Sequence, residues 1–257
     1  MPTATKVNQE LRDKLKVEPP SSVVKWLNLF IYGDSGVGKT YLGGTASLDP
    51  RFMPMLWLDV EGGVTTIKKF KNIDVKKIRS MADMESAGTE LAKAANAGDI
   101  YYKIVVIDSM TELADLDMRD VMKEAFNRNS DKVDKDVPSP REYGKVRNHI
   151  RIITRHFKDL PCHVYFTGHV GSVTDEATNV TKFFPAFSGK LAREIPGFVD
   201  IVGYYSQKVS GEEVIRTLQT QGTHKVVAKD RTQALQSLET NPTLPGLWDI
   251  IEAAQKV

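Results

Sequence analysis

Short apolar runs alternate with stretches of helical periodicity along most of this chain. The runs are nearly continuous, which is typical of strands that are buried on both faces of a parallel sheet. They cover residues 26–32, 55–60, 103–108 and 162–166. Helical spacing occupies residues 38–47, 81–97, 110–127 and 142–160. This order predicts an α/β fold with a mostly parallel central sheet flanked by helices.

The C-terminal part departs from that alternation. Residues 201–207 and 214–218 have the composition of two strands, and the Ser-Gly pair at 210–211 between them is typical of a turn. We therefore expect an antiparallel extension of the parallel core. Residues 22–257 are assigned to one core domain, and the polar segment 1–21 is assigned to an N-terminal tail that is a candidate for oligomerisation.

The composition is compatible with this single domain. The chain has 257 residues, 41% hydrophobic and 26% charged, which is enough for a core that buries about 70–75% of the unfolded surface. No apolar run approaches the roughly 18 residues that cross a bilayer, so no membrane partner is expected. The lone Cys162 cannot form an internal disulfide, which suits a reducing cytoplasm. Because the net charge is only +2, any nucleic-acid binding must depend on local patches.

A complete G-x-x-x-x-G-K-[ST] motif follows the first predicted strand. It consists of Gly33, Asp34, Ser35, Gly36, Val37, Gly38, Lys39 and Thr40. In such a loop the backbone N–H groups surround phosphates, the lysine reaches the β- and γ-phosphates, and the hydroxyl can bind Mg²⁺. The alternative is a chance glycine-rich turn. The strand before the motif and the helix after it favour a nucleotide site with Mg²⁺.

Asp108 ends the apolar run at 103–108. An acidic residue at the C-terminal end of a buried strand lies at the crevice where α/β sheets bind ligands. We therefore predict that Asp108 is the Walker B residue, which binds the Mg²⁺ that Thr40 also contacts. A strand-ending aspartate alone is more often a helix N-cap. The intact phosphate loop reverses that preference.

The segment after the phosphate-loop helix resembles one in RecA/RadA-type recombinases. In that family a strand is followed by an acidic residue, any residue, Glu and Gly, and residues 57–62 have this order. The resemblance implies a RecA-like P-loop NTPase core that uses ATP, in which Glu61 orients and deprotonates the attacking water. From the residues alone, Glu61 could equally be a solvated charge before a Gly-Gly turn.

Residues 164–169 resemble the family's strand that ends in a polar sensor of the γ-phosphate. The resemblance implies this role for His169, although the usual sensor is an amide. An imidazole can also donate one hydrogen bond to a phosphate oxygen. The alternative is a strand-end histidine whose ring is satisfied by backbone groups.

Two segments correspond to the family's DNA-binding loops. Residues 129–141 are charged, contain proline and lack periodicity, whereas residues 170–187 form a long polar segment that ends in aromatic residues. In the second segment, Lys182, Phe183 and Phe184 suit base stacking with neutralisation of the backbone, as in sequence-tolerant single-strand binders. The alternative is that the phenylalanines pin the loop to the core.

A basic stripe gives a second candidate DNA contact. Arg147, Arg151 and Arg155 recur every fourth residue on the helix predicted at 142–160. The neighbouring face of this helix is apolar and consists of Val146, Ile150, Ile153, Phe157 and Leu160. We assign Arg147 and Arg151 as DNA-binding candidates. The alternative is a charged helix face that is only solvated.

The last resemblance lies at residues 226–231. RecA-like filaments place two basic residues of a late strand on the γ-phosphate of the neighbouring subunit. Lys229 and Arg231 match these positions and would alternate on one face of a strand. The resemblance implies that both residues act in catalysis across a subunit interface. The alternative is two exposed strand charges that flank Asp230.

The order of these motifs, with the late Ala-Lys-Asp-Arg segment at 228–231, is most similar to small bacteriophage RecA-like ATPases, a group that includes single-strand annealing proteins. The resemblance implies a slow, DNA-stimulated ATPase that binds single-stranded DNA and acts in recombination or annealing. It also implies a homo-oligomer, either a filament or a ring, with a single-strand-binding protein as a further partner. The implied location is the cytoplasm, that of the host cell if the chain is phage-encoded.

Two other functions compete with this interpretation. One is a ring helicase or translocase subunit built on the same core, which would need sustained turnover. The other is a nucleotide-dependent scaffold or switch that binds a protein partner and no DNA. The scaffold hypothesis leaves the two polar segments and the arginine stripe unexplained.

Overall fold

A computed structural model describes residues 4–17, 26–130 and 133–255 of the protein. Its helices are α1 (Ala4–Leu15), α2 (Lys39–Gly44), α3 (Met81–Asn96), α4 (Met110–Arg128), α5 (Pro140–Lys158), α6 (Leu191–Phe198) and α7 (Leu244–Gln255). Its strands are β1 (Asn28–Gly33), β2 (Met55–Asp59), β3 (Ile73–Lys77), β4 (Ile104–Asp108), β5 (His163–Asp175), β6 (Val180–Pro185), β7 (Ile201–Ser210), β8 (Glu213–Gln219), β9 (Lys229–Asp230) and β10 (Leu238–Thr240).

The strands of the main sheet are ordered β10-β8-β7-β1-β5-β4-β2-β3. The six strands from β7 to β3 in this order pair in parallel. The strands β8, β9 and β10 pair antiparallel at the C-terminal end of the chain. The predicted α/β architecture is therefore confirmed: a mostly parallel central sheet with flanking helices and an antiparallel C-terminal extension.

Alternate residues of the central strands pack into two separate cores. In β1, Phe30 and Tyr32 join the cluster under α3, α4, α5 and α6, while Leu29 and Ile31 join the cluster under α2 and α7. Every residue of β1, β2 and β4 is buried. The near-continuous apolar runs in the sequence arise because helices cover both faces of these strands.

Residues 170–185 form a β-hairpin where a long loop at 170–187 was expected. Strand β5 continues well beyond the sheet and pairs antiparallel with β6, from Val170 opposite Pro185 to Asp175 opposite Val180. The Asp175 carboxylate accepts the backbone N–H groups of the turn at 177–178. The polar composition suggested a loop, but the β-branched valines and threonines of this segment suit an exposed two-stranded ribbon.

The first candidate DNA-binding segment remains irregular where it is described and ends at a capped helix. Ser139 and Glu142 form a capping box at the start of α5, two residues earlier than predicted. The predicted apolar face of α5 is buried, including Val146, Ile150 and Phe157. The described parts of this segment are residues 129–130 and 133–141, of which the last two begin α5.

The N-terminal segment contains a helix within the part of the chain that the structure describes. Helix α1 presents Leu11 and Leu15 to solvent, with exposed fractions of 53% and 63%. The remainder of the predicted tail, at 1–3 and 18–21, lies outside the described residues, and its role in oligomerisation stays a prediction. None of the described helices is both long and apolar enough to cross a membrane.

Candidate nucleotide-binding site

The phosphate-loop motif connects β1 to α2 at the C-terminal edge of the sheet. Gly36 and Gly38 have φ angles of 77° and 104°, in the left-handed region that favours glycine. At Gly33, an added Cβ would lie 2.1 Å from the carbonyl oxygen of Tyr205, so a side chain there would collide with β7. These glycines allow the sharp backbone path on which phosphate binding depends.

Lys39 is buried inside this loop, with 6% of its surface exposed. Its ammonium group donates to the carbonyl oxygens of Gly33 at 2.9 Å and Asp34 at 2.8 Å. Burial lowers the pKa of Lys39, while the nearby carboxylates of Glu61 and Asp108 raise it. The Lys39 ammonium thus lies against the backbone of the loop, and its contact with phosphates stays a prediction.

Asp108 lies at the end of β4 and is almost completely buried. One carboxylate oxygen accepts the Thr40 hydroxyl at 2.8 Å, and the other accepts the Thr167 hydroxyl at 2.5 Å. Burial raises the pKa of Asp108, and the two hydroxyl groups oppose that rise. The structure therefore brings together the two predicted metal ligands, Thr40 and Asp108, and adds Thr167, which the sequence analysis missed.

The donor set suits a hard cation. Thr40 and Asp108 offer oxygen atoms, which Mg²⁺ prefers, and Mg²⁺ is commonly held by one or two protein groups together with substrate phosphates. Within the described part of the chain, no group of three or more His, Cys, Asp or Glu side chains is arranged to hold a metal ion. The two residues therefore fit Mg²⁺ that arrives with a nucleotide.

Asp59 organises the segment that carries Glu61. It ends β2 directly beside Asp108 in the strand register, and its carboxylate accepts the N–H groups of Gly62 at 2.9 Å and Gly63 at 3.1 Å. The N–H group of Glu61 donates to the Asp108 carbonyl oxygen at 3.1 Å. These bonds hold the backbone of Glu61 beside the metal-ligand pair. Asp59 could have been identified from the sequence, because it is an acidic residue at the end of an apolar strand, as Asp108 is.

His169 lies between two carboxylates. Its Nε2 atom is 3.8 Å from a carboxylate oxygen of Glu61 and 3.5 Å from one of Glu112, and its backbone N–H donates to Thr111. The strand register places His169 opposite Gly33, at the start of the phosphate loop. The ring therefore contacts acidic side chains at the edge of the site, and the expected alternative of a ring bonded to backbone groups does not describe it.

A cavity of about 620 Å³ opens over the loop. It is lined by Ser35, Gly36, Gly38, Lys39, Thr40, Tyr41, Glu61, Gly63, Thr66, Lys69 and Arg216. The Lys69 ammonium lies 4.2 Å from the centre of the Tyr41 ring. Arg216 comes from β8, so no local pattern in the sequence connected it with the motif.

A family model for the AAA domain, AAA_24, matches residues 25–232, which is most of the chain. The chain belongs to this AAA domain family. No curated protein matches it. Among solved structures, a KaiC-like protein from the archaeon Pyrococcus horikoshii OT3 is similar over 75% of this chain and 77% of its own, with 13% identity and a TM-score of 0.42. The flagellar accessory protein FlaH from Methanocaldococcus jannaschii is similar over 83% and 84%, with 9% identity and a TM-score of 0.43.

In this AAA domain, Lys229 and Arg231 lie away from the phosphate loop of their own chain. Lys229 donates to the carbonyl oxygens of Pro196 at 2.5 Å and Val199 at 2.7 Å, and Arg231 donates to that of Gly197 at 2.9 Å. Both residues thus bond carbonyl groups at the C-terminal end of α6. Lys229 pairs with Val202 of β7, and Val202 pairs with Phe30 of β1. Phe30 lies three positions, about 10 Å along the strand, before the start of the loop at Gly33. The catalytic role of Lys229 and Arg231 across a subunit interface stays a prediction.

The aromatic residues in and just after the β5–β6 hairpin pack against other parts of the same domain. The Phe183 ring stacks on that of Tyr204, with centroids 5.4 Å apart and an interplanar angle of 10°. Phe184 packs against the core, and Phe187 is buried in it. Lys182 is exposed. The alternative in which phenylalanines pin this segment to the core therefore describes Phe184 and Phe187, and the rings suggested for base stacking already have protein neighbours.

Two arginines of the stripe have partners within the same domain, and the DNA-binding role assigned to Arg147 and Arg151 stays a prediction. Arg151 forms two hydrogen bonds with the Glu194 carboxylate on α6, the shorter at 2.7 Å. The Arg155 guanidinium lies 4.7 Å from the centre of the Phe198 ring. Arg147 lines a separate cavity between α4, α5 and the start of α6. Helix α6, which was not predicted from the sequence, supplies the partners of Arg151 and Arg155, while Arg155 stays exposed.

Proposed function

We propose that this AAA domain binds ATP with Mg²⁺ at the phosphate loop and hydrolyses it. The observation that carries the proposal is the convergence of four side chains at one edge of the sheet: Lys39, Thr40, Asp108 and Glu61. Positioning and charge stabilisation are the main requirements of phosphoryl transfer, and these residues supply both.

Each of these residues has a distinct role in the proposal. Lys39 binds the β- and γ-phosphates, and Thr40 and Asp108 hold Mg²⁺, which neutralises phosphate charge when it is bound. Glu61 accepts a proton from the attacking water, since its carboxylate stands at the edge of the cavity and its backbone is tied to β4. His169 positions Glu61 or donates a hydrogen bond to a phosphate oxygen.

The ATPase proposal has a direct test. Phosphate release is measured for the wild-type protein with ATP and Mg²⁺, with ATP and excess EDTA, and for Asp108→Asn. We expect turnover only in the first case, because both other conditions remove the metal or its carboxylate ligand. Turnover that persists in EDTA at the wild-type rate would contradict the metal assignment, and wild-type turnover in Asp108→Asn would contradict the site.

We also propose that ATP controls binding of single-stranded DNA in recombination or annealing. The supporting observation is the β5–β6 hairpin, which projects directly from the strand that carries Thr167 and His169. Because one continuous strand joins both places, a change at the nucleotide can alter the hairpin. Lys182 and the threonine pair 174/181 on the ribbon offer polar contacts to a nucleic-acid backbone.

A scaffold or switch that binds a protein partner is the second candidate. The packing of Phe183 and Phe184 and the ion pair of Arg151 favour it, because these groups are already used inside the domain. Fluorescence anisotropy of a labelled single strand with ATP, ADP and no nucleotide separates the two candidates. ATP-dependent binding in the micromolar range or tighter supports the DNA proposal, and no binding in any nucleotide state favours the scaffold.

Shared active sites are a separate part of the proposal. If Arg231 and Lys229 complete a neighbour's site, the Lys229→Ala/Arg231→Ala protein and the Lys39→Ala protein should each be inactive. A mixture should recover part of the activity, because some interfaces then combine an intact loop with intact basic residues. No recovery in mixtures that light scattering shows to co-assemble would place these residues outside the site, in their observed role at the end of α6.

A further inference from the structure

Arg216, on β8, contacts the phosphate loop although two strand pairings separate β8 from β1. Its Nε atom donates to the Val37 carbonyl oxygen at 3.0 Å. A Cβ added at Gly38 would lie 3.0 Å from the same nitrogen, so the guanidinium rests directly on the second glycine of the motif. Arg216 also lines the cavity that contains Lys39 and Thr40. Arg216 of the same chain therefore lies against the phosphate loop and at the cavity over it.

The backbone of Arg216 is held firmly. It pairs with Gln207 of β7, and β7 pairs with β1, the strand that leads into the loop. Its N–H group donates to the Asn241 side chain at 2.8 Å, and its carbonyl oxygen accepts the Asn241 N–H at 2.7 Å. The sheet fixes the backbone of Arg216, and the Nε bond to Val37 holds its side chain against the loop, so less side-chain freedom is lost when a ligand binds.

The chemistry of the group matches a polyphosphate. A guanidinium carries five N–H donors, and the bond to Val37 uses the one on Nε, which leaves the donors of the two terminal nitrogens. Lys39 and Lys69 are the other cations in the cavity lining, and Glu61 is its carboxylate. The planar fork of arginine pairs with phosphate oxygens through two parallel bonds, which an ammonium group cannot do.

We propose that Arg216 binds the polyphosphate of the nucleotide in cis, as a second cation beside Lys39, and so couples the β7–β8 extension to nucleotide binding. This inference rests on the proposed nucleotide site. It assigns a phosphate-binding role to a residue outside the motif. A purely structural brace on the Val37 carbonyl is the outcome that would overturn it.

The test compares the binding of four ligands with increasing numbers of phosphates, measured by calorimetry in the presence of Mg²⁺. Adenosine, AMP, ADP and ATP are titrated into the wild-type protein, Arg216→Gln and Arg216→Lys. We expect Arg216→Gln to bind ADP and ATP about tenfold more weakly, with adenosine and AMP changed less than twofold, since a charge-assisted bond is lost only with the longer phosphate chain. Arg216→Lys should recover part of the affinity.

Three results would overturn the inference. One is wild-type affinity of Arg216→Gln for both ADP and ATP. Another is a loss of affinity for adenosine in Arg216→Gln that equals the loss for ATP. The third is a fall in the melting temperature of nucleotide-free Arg216→Gln that accounts for the weaker binding. Each of these two results would indicate a distorted loop. Arg193→Gln, at an exposed position on α6, is the matched control and should bind all four ligands like the wild type.

Lys39→Ala distinguishes failure of this inference from failure of the proposed function. If Lys39→Ala binds ATP like the wild type, the nucleotide site itself is wrong. If Lys39→Ala loses affinity while Arg216→Gln does not, the site stands and only the role of Arg216 is wrong.

Discussion

Two charged regions of this molecule differ in what their side chains contact. At the nucleotide edge of the sheet, Lys39, Thr40, Asp108 and Glu61 face a common cavity or one another. On the α5–α6 face, by contrast, Arg151 is paired with Glu194. The first region has the arrangement of a site for a ligand, and the second has the arrangement of an internal helix–helix contact.

Local sequence patterns predict the geometry of the first region better than that of the second. The phosphate loop and its lysine are neighbours in sequence, and the glycines force one backbone path, so their geometry follows from a few consecutive residues. The partner of Arg151, Glu194, lies 43 positions away on α6, a helix that was not predicted from the sequence. A periodic charge pattern predicts a shared helix face, but the availability of that face depends on what packs against it.

Removal of the loop lysine should produce the largest effect. In Lys39→Ala the cation within the loop is lost, and we expect ATP turnover to fall by about 10³-fold or more, with weaker nucleotide binding as well. Phosphate release and calorimetry measure the two effects. Lys93→Ala, an exposed lysine on α3, is the matched control. A Lys39→Ala rate within about twofold of the wild type would contradict the nucleotide site.

Glu61→Gln should lower turnover on the order of 10²-fold while ATP still binds, because the variant keeps the shape and loses only the base. The measurement is single-turnover hydrolysis together with the Kd for ATP. Glu112→Gln changes the other carboxylate beside His169 and should stay within a few-fold of the wild type. A parallel loss of binding and turnover in Glu61→Gln would indicate a structural role or a role in metal binding.

The hairpin can be tested with a pair of neighbouring substitutions. Phe184→Ala should lower the free energy of unfolding by about 2 kcal/mol, because the ring packs against the core but is only partly buried. Lys182→Ala should leave stability unchanged, weaken single-strand binding and reduce its salt slope by about one. A specific loss of DNA affinity in Phe184→Ala at unchanged melting temperature would restore the base-stacking hypothesis and weaken the contrast between the two regions.

Thr167→Val tests whether the hydroxyl on Asp108 tunes the metal site. The substitution keeps the volume but removes a donor to a buried carboxylate, and we expect the Mg²⁺ concentration for half-maximal ATPase activity to rise about tenfold. Thr167→Ser retains the hydroxyl and should stay close to the wild type. An unchanged Mg²⁺ dependence in Thr167→Val would show that Asp108 needs no such support.

The smallest effect is expected for His163, which begins β5 at the end of the sheet opposite to the phosphate loop. This residue lies outside both charged regions and serves as a reference. His163 is buried among the rings of Trp26, Phe52 and Trp248, and burial lowers its pKa to about 4. Because the folded state holds it neutral, its stabilising effect is complete above the unfolded pKa near 6.5 and is lost as the pH falls toward 4. Between pH 7 and 5.5 the free energy of unfolding should fall by about 1 kcal/mol from this group.

Urea denaturation at several pH values measures this slope. His163→Gln keeps an acceptor for the Leu27 N–H and should flatten the slope between pH 7 and 5.5. His224→Gln, at an exposed position, should leave it unchanged. An equal slope in the wild type and His163→Gln would contradict a neutral buried histidine.

Much of the fold could be predicted, and the exceptions share a physical cause. The strand positions around 28–33, 55–59 and 104–108 followed from apolar runs, because burial on both faces requires such runs. Strand β3 at 73–77 was missed, because it lies at the sheet edge and is largely exposed. The hairpin at 170–185 was missed for the same reason, since an exposed ribbon needs no apolar alternation.

The phosphate loop, the strand-ending Asp108 and the order of a parallel α/β core could be predicted from the residues alone, because they depend on local backbone geometry and on burial along single elements. The places of Thr167 and Arg216 at the site, and the contacts of Arg151, Phe183 and Phe184 within the domain, became visible only in the folded chain. These contacts connect residues far apart in the chain. Side-chain partners of that kind depend on how strands and helices assemble, which no single stretch of the sequence specifies.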